Sequence, residues 1–272
     1  MTRVKDGVLQ LDTEENGRIW VVTLNRPERL NAFNGDLRKQ VHETYWEFAH
    51  DDSAWVMVLT GAGRAFGTGQ DLRERADRDA AAAAGLPDPM VTMPDYLANI
   101  FPIAERLNCW KPTIAAVNGI AVAGGFNHAM QCDIRIASET AEFGVTEVRW
   151  NQGAGWVHHL PRIIGLGNSL ELVLWGDRRV SAQRAYEMGF VNQVVPPDQL
   201  MPTAMEWATR MMTLAPRAVR NFKEILYRGS FMSPFEAARY ATNLEQNLRG
   251  MKDSIEGPKA FAEKRAPVFL NE

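Results

Sequence analysis

The stretch KPTIAAVNGIAVAGGFNHAMQCDIRIASETAEFGVTEV, Lys111 to Val148, governs how the rest of the chain is read. Its first apolar run, Thr113 to Val117 (TIAAV), has the length and bounding residues of a buried strand. Glycines follow, and from Gly124 onward the pattern predicts a helix. Ile134 to Ala137 then predicts another short strand. A β-run, then glycines, then a helix is a device for aiming backbone N–H groups at an anion. Glycine lets the chain approach a ligand closely, and a helix N-terminus adds the positive end of its dipole.

The same design stands twice upstream. Leu59 to Phe66 reads LTGAGRAF, and Phe66 to Leu72 reads FGTGQDL. A dinucleotide fingerprint fails in the first because Phe66 holds the place of its third glycine. A phosphate-binding P-loop fails because no Gly-Lys-Ser/Thr follows. Each loop alone is an ordinary turn.

Around these loops the pattern alternates. Arg18 to Leu24 and Trp55 to Thr60 predict strands. Asn34 can cap a helix carrying Leu37, Val41, Tyr45 and Phe48 on one face. Met93 to Leu107 predicts a helix. The alanine run Ala80 to Ala84, followed by Gly85, Pro87 and Pro89, predicts a mobile surface segment. Beyond about residue 165 the pattern is helical: 168–174, 181–188, 198–213, 216–227, 234–250 and 254–264. Strands alternating with helices give an α/β core. The helical last third must pack on that core, on itself or on another subunit. We divide the chain into a core, 1–195, and a helical C-terminal region, 196–272.

A chain of 272 residues is long enough to bury a core without disulfide or metal staples. Net charge is −3, from 30 basic and 33 acidic residues, which argues against a nucleic-acid or anionic-membrane partner. The two cysteines, Cys109 and Cys132, form no CxxC, so a cysteine zinc site is not expected and a reducing, cytoplasmic setting fits. His158-His159 lacks the accompanying ligands of a metal site. The N-terminus carries no apolar targeting segment, and no run of about 18 apolar residues is present.

Taken together and in order, these motifs resemble the enoyl-CoA hydratase/isomerase (crotonase) superfamily. The likeness extends to LNRPERLNAF (Leu24 to Phe33), GDRRVSAQRAYEMGFVNQVV (Gly176 to Val195) and EGPKAFAEKRAPVF (Glu256 to Phe269). The resemblance implies the crotonase fold: an α/β spiral of repeated ββα units with a helical C-terminal region that builds trimers, or hexamers as dimers of trimers. It implies an acyl-CoA substrate, with coenzyme A part of the substrate and no separate cofactor or metal. The backbone N–H groups of Gln70 and Gly124 would form an oxyanion hole for the thioester oxygen, and Asp71 would cap the next segment.

The family's hydratases carry two glutamates, at the positions held here by Asn127 and Glu147. Glu147 is therefore the expected general acid/base, with a pKa raised by an apolar pocket. Asn127 can orient water or substrate but cannot accept a proton. One carboxylate suits double-bond isomerisation, or hydratase-lyase or ring-cleaving chemistry on a bulky aromatic or alicyclic acyl-CoA. GGFN…FGVTEVRWN is similar to the hydratase-lyase branch. An acyl-CoA-binding paralogue without turnover is the non-enzymatic alternative.

The family's usual spacing after this Glu is longer, so Trp150 and Trp156 are expected to reshape the acyl pocket, or else to be core or interface residues. His128 is a further pocket candidate that could titrate near neutral pH. Adjacent helix residues diverge by about 100°, so His128 and Asn127 are not expected to face one ligand. The resemblance places CoA contacts at Arg26, Arg29 and Lys264. Tyr227 and Tyr240, on the helical tail, could reach a neighbouring site.

Overall fold

The structure, a computed structural model, describes residues 7–86 and 103–272. The strands, in chain order, are β1 (Leu9–Glu14), β2 (Ile19–Leu24), β3 (Val56–Gly61), β4 (Ala65–Gly67), β5 (Thr113–Val117), β6 (Ile120–Val122), β7 (Ile134–Ser138), β8 (Glu142–Gly144), β9 (Val180–Ser181) and β10 (Gln193–Val195). The α-helices are α1 (Gly35–His50), α2 (Leu72–Ala83), α3 (Ile103–Arg106), α4 (Gly124–Gln131), α5 (Leu160–Leu174), α6 (Ala182–Glu187), α7 (Leu200–Met212), α8 (Pro216–Gly229), α9 (Pro234–Glu245) and α10 (Lys252–Ala262).

Two sheets stack to form the core. One runs β1-β2-β3-β5-β7-β10, and the other runs β4-β6-β8-β9. The pairs β3/β4, β5/β6 and β7/β8 each place their first strand in the large sheet and their second in the small one. Helices follow each pair, so the chain winds as a spiral of repeated ββα units. β2, β3, β5, β7 and β10 are mutually parallel, as are β4, β6 and β8. Buried on both faces, β3 and β5 read as near-continuous apolar runs. Between the sheets and α1 lie Trp20, Tyr45, Phe48, Phe66, Phe126 and Phe143, all fully buried.

The winding brings the glycine loops together. Gly125 packs so closely on Gly67 that a Cβ there would overlap the Gly67 carbonyl oxygen. Gly69 has a φ of +79°, and a Cβ on it would lie 2.6 Å from the Ala123 Cβ. Ala123 itself has a φ of 51°, a strained value for a non-glycine residue. The loops before α2 and α4 thus interlock backbone against backbone. Buried Asn31 ties the β3–β4 turn to the LNRPERLNAF segment. It accepts a hydrogen bond from the Arg26 N–H and donates to the carbonyls of Ala62 and Ala65.

Several expectations change. The alanine run is helical and closes α2, because alanine favours helix until Gly85 ends it. The helix expected at 93–107 is described only from Ile103 to Arg106; its remainder lies outside the described residues. The helix expected at 168–174 begins earlier, at Leu160, with a break at Gly165 (φ 75°, ψ 161°). Within the helical last third, α7 lays Leu200, Ala204 and Ala208 on Val58, Ile114 and Ile136 of the large sheet's outer face. α8 and α9 pack mainly on each other. Phe222, Leu226, Phe235 and Phe261 stay exposed there.

Candidate active site

The interlocked loops open onto a cavity of about 310 Å³. Its wall includes Phe33, Arg38, Gly69, Gln70, Gly124, Asn127, His128, Glu147 and Trp156. Beyond it lies a wider groove of about 660 Å³. Gln70, Ala123, Glu147 and Gln152 belong to both, so they mark the junction.

Backbone donors cluster at this junction. Phe33 pairs with Gln70 as an isolated parallel bridge, in which the Phe33 N–H donates to Gly69 and the Asp71 N–H donates to Phe33. That pairing turns the Gln70 N–H away from Phe33. Gly124 is the first residue of α4, and its N–H belongs to the first helical turn, which has no intrahelical acceptor. Gly69 lies against Gly124, which brings the two donor segments together. The side chain of Asp71 caps α2, accepting from the Arg73 N–H at 3.2 Å.

Glu147 is 7% exposed, and its Oε2 is buried with no hydrogen-bond partner among the described residues. Burial raises its pKa, partly offset by donation from its own N–H and from the Trp156 indole N–H. Asn127 is 2% exposed on the same cavity.

His128 faces this cavity too, contrary to the divergence expected of neighbouring helix residues. The cavity wraps the first turn of α4 broadly enough to meet both side chains. The His128 ring stacks on Phe33 at 4.5 Å and lies 3.3 Å from the Tyr45 hydroxyl. Burial, reinforced by the Arg106 charge, lowers its pKa to about 3. His128 is thus a neutral packed ring rather than a group that titrates near neutrality.

The two tryptophans part company. Trp156 is 5% exposed, stacks on Phe126 at 5.6 Å and lines the cavity. Trp150 is 56% exposed and lines the groove instead.

The basic residues also sort themselves. Arg29 lines the groove. Arg26 does not: its guanidinium donates to Asp71 at 3.2 Å and to the Ala32 carbonyl, and so braces the loop. Burial alone would raise the Asp71 pKa, but Arg26 and nearby backbone N–H groups outweigh it and lower the value. Lys264 is exposed and lines neither space. Arg64, Arg73, Arg149 and Arg179 join Arg29 at the groove. Sequence reading missed these four, since they come from separate segments that only the fold assembles.

Other candidates lie elsewhere. The Tyr227 hydroxyl donates to Asp133 at 2.9 Å and that of Tyr240 to Glu224 at 2.6 Å, so both are engaged within the same chain. The rings of His158 and His159 lie 3.9 Å apart, and no group of three or more potential metal ligands occurs among the described residues. Among those residues no helix is long and apolar enough to cross a membrane.

Comparison with known proteins agrees with this architecture. The enoyl-CoA hydratase/isomerase family model matches residues 14–272. A probable enoyl-CoA hydratase of Mycobacterium bovis is 35% identical over 261 residues, covering 95% of this chain and 96% of the relative. The (E)-benzylidenesuccinyl-CoA hydratase of Thauera aromatica is 36% identical over 259 residues, covering 94% and 97%. The crystal structure of an enoyl-CoA hydratase from Bacillus anthracis superposes with a TM-score of 0.87 at 32% identity, covering 98% of this chain and all of that one.

Proposed function

The chain belongs to the enoyl-CoA hydratase/isomerase family, and from that premise we propose a specific division of labour within its acyl-CoA site. The acyl group enters the cavity, the CoA portion lies along the groove, and the thioester sits where the two meet. The observation that carries this reading is the set of shared residues, Gln70, Ala123, Glu147 and Gln152.

At that junction the Gln70 and Gly124 N–H groups receive the thioester oxygen. As an enolate develops, charge gathers on this oxygen, and one fixed donor of this kind is worth on the order of 10²–10³ in rate. Glu147 adds or removes the proton at the α-carbon. Burial raises its pKa and so favours holding the proton, and proton transfer by such a group contributes roughly 10²–10⁴. Trp156 holds the carboxyl in place through its indole N–H. Asn127, which cannot take a proton, orients water or substrate beside it. The five groove arginines meet the CoA phosphates as exposed charges. CoA is part of the substrate, and the chemistry calls on no separate cofactor.

The single carboxylate favours proton transfer between carbons, or lyase or ring-cleaving chemistry on a bulky acyl group, over water addition shared between two glutamates. Product analysis on straight-chain, aromatic and alicyclic enoyl-CoAs in deuterated water tests this. The expected products are isomerised or cleaved acyl groups, with solvent deuterium at the carbon that is protonated, and little 3-hydroxyacyl ester from simple water addition. Tight binding of every ester without turnover would support a binding paralogue instead.

The exposed Leu166, Leu170 and Leu174 of α5 and Trp175 at its C-cap, with Phe222, Leu226 and Phe235, support a homotrimer or a dimer of trimers. Light scattering that returns a monomer would refute it.

A further inference from the structure

The packing around His128 fixes which of its nitrogens carries the proton. The Tyr45 hydroxyl lies 3.3 Å from His128 Nδ1. Tyr45 is fully buried, and Nδ1 is the acceptor its O–H meets among the described residues. A buried hydroxyl needs an acceptor, so the Tyr45 O–H donates and Nδ1 accepts. Burial, with the Arg106 charge adding to it, keeps the ring neutral. A neutral imidazole whose Nδ1 accepts carries its proton on Nε2.

Nε2 makes no hydrogen bond among the described residues, yet it is not sealed from solvent. Phe33 covers one face of the ring, nearly parallel to it at 11°. Solvent therefore reaches Nε2 from the cavity that the ring lines. His128 follows Gly124 by four residues on α4, so it stands about 6 Å, one turn, along the helix from the proposed oxyanion donor. An N–H of this kind can donate but cannot accept, so it serves neither as a base nor as the acceptor that activates water.

We propose that the acyl group of the substrate carries an uncharged oxygen, ketone or hydroxyl, on its distal carbons, and that the His128 Nε2–H donates to it as the specificity-determining contact. This rests on the acyl-CoA reading above. A plain alkyl tail would displace water from Nε2 and leave the donor buried without an acceptor. An oxygen there restores the hydrogen bond, and a site built on such a bond rejects the analogue that lacks it. One neutral N–H does not by itself offset the desolvation of a charge, which is why the oxygen is uncharged. The turn of helix between Gly124 and His128 separates this oxygen from the thioester. Tyr45 is a positioning residue: it holds the tautomer that makes Nε2 a donor.

The test is calorimetric binding of 5-oxohexanoyl-CoA and 6-hydroxyhexanoyl-CoA against hexanoyl-CoA, three saturated esters of equal chain length. The wild-type protein is expected to bind at least one oxygenated ester about three- to tenfold more tightly than hexanoyl-CoA, as one hydrogen bond implies. The two arms tell ketone from hydroxyl. His128→Phe keeps the ring stack and removes the N–H, so the preference should vanish. Tyr45→Phe releases Nδ1 and should shrink it. Circular dichroism checks that both variants are folded. NMR of isotope-labelled histidine reads the tautomer in the wild type without any variant: the proton is expected on Nε2, and its resonance should shift with the preferred ester. Equal affinities for the three esters, a preference that survives in folded His128→Phe, or a proton on Nδ1 overturn the inference while leaving the acyl-CoA site intact. Failure of all three esters to bind overturns the acyl-CoA reading and this inference with it.

Discussion

The cavity around Asn127 and His128 is walled by glycine backbone and the faces of Phe33 and Trp156, whereas the groove beyond Gln70 presents Arg29, Arg64, Arg73, Arg149 and Arg179 to solvent. The cavity wall is fixed by interlocking. Gly67, Gly69, Ala123 and Gly125 touch through main chain, so no part can move alone. The groove wall is a set of long, exposed side chains from unrelated segments, of which Arg179 is paired with Glu142 at 2.7 Å. Fixed walls suit a reaction that needs donors aimed before charge develops. Adjustable cations suit a polyanionic handle that needs only to be held.

Substitutions should therefore cost much on one side and little on the other. Gly125→Ala forces a Cβ into the Gly67 carbonyl and pushes Gly124 away from Gly69. Turnover should fall on the order of 10²-fold or more, through loss of the proposed oxyanion donor, with a lower thermal midpoint in the same preparation. Trp156→Phe keeps an aromatic face but removes the N–H that favours the charged form of Glu147. The pH-rate inflection assigned to Glu147 should move upward by up to about one unit, read from kcat against pH. On the groove side, Arg149→Ala should raise KM by roughly two- to fivefold, a loss that shrinks as salt is added. An Arg149→Ala penalty as large as that of Gly125→Ala would dissolve the contrast between the two walls.

The smallest effect concerns stability. The folded pKa of Glu147 is raised above its unfolded value of about 4.3. Its contribution to stability is therefore fully present below that unfolded value, and is lost as pH rises through the folded pKa. Glu147→Gln should melt higher than wild type at neutral pH, and the difference should close near pH 4. With Glu147 in its proposed role, the site gives up stability for function.

The same contrast explains what the sequence disclosed. Thr113–Val117 and Ile19–Leu24 have enough apolar residues to declare themselves as strands. β4, β6, β8, β9 and β10 are two or three residues long, too short for any period, so the second sheet was invisible. Gly124, Gln70 and Glu147 were legible because the loops that carry them form a recognisable ordered set. Arg38 was not, since a charged residue on an amphipathic helix reads as solvated until tertiary packing places it on a cavity. Arg26 misled for the opposite reason: a basic residue near a ligand loop turned out to brace Asp71.

The central claim is that Glu147 moves the proton at the junction of the two spaces. It is tested most directly by single-turnover kinetics of Glu147→Gln on whichever enoyl-CoA the wild type converts, alongside the dissociation constant of the matching saturated ester. The account predicts a rate lower by roughly 10²–10⁴ with binding nearly unchanged. Wild-type turnover in the variant, or a loss of binding that accounts for the whole drop in rate, would contradict it.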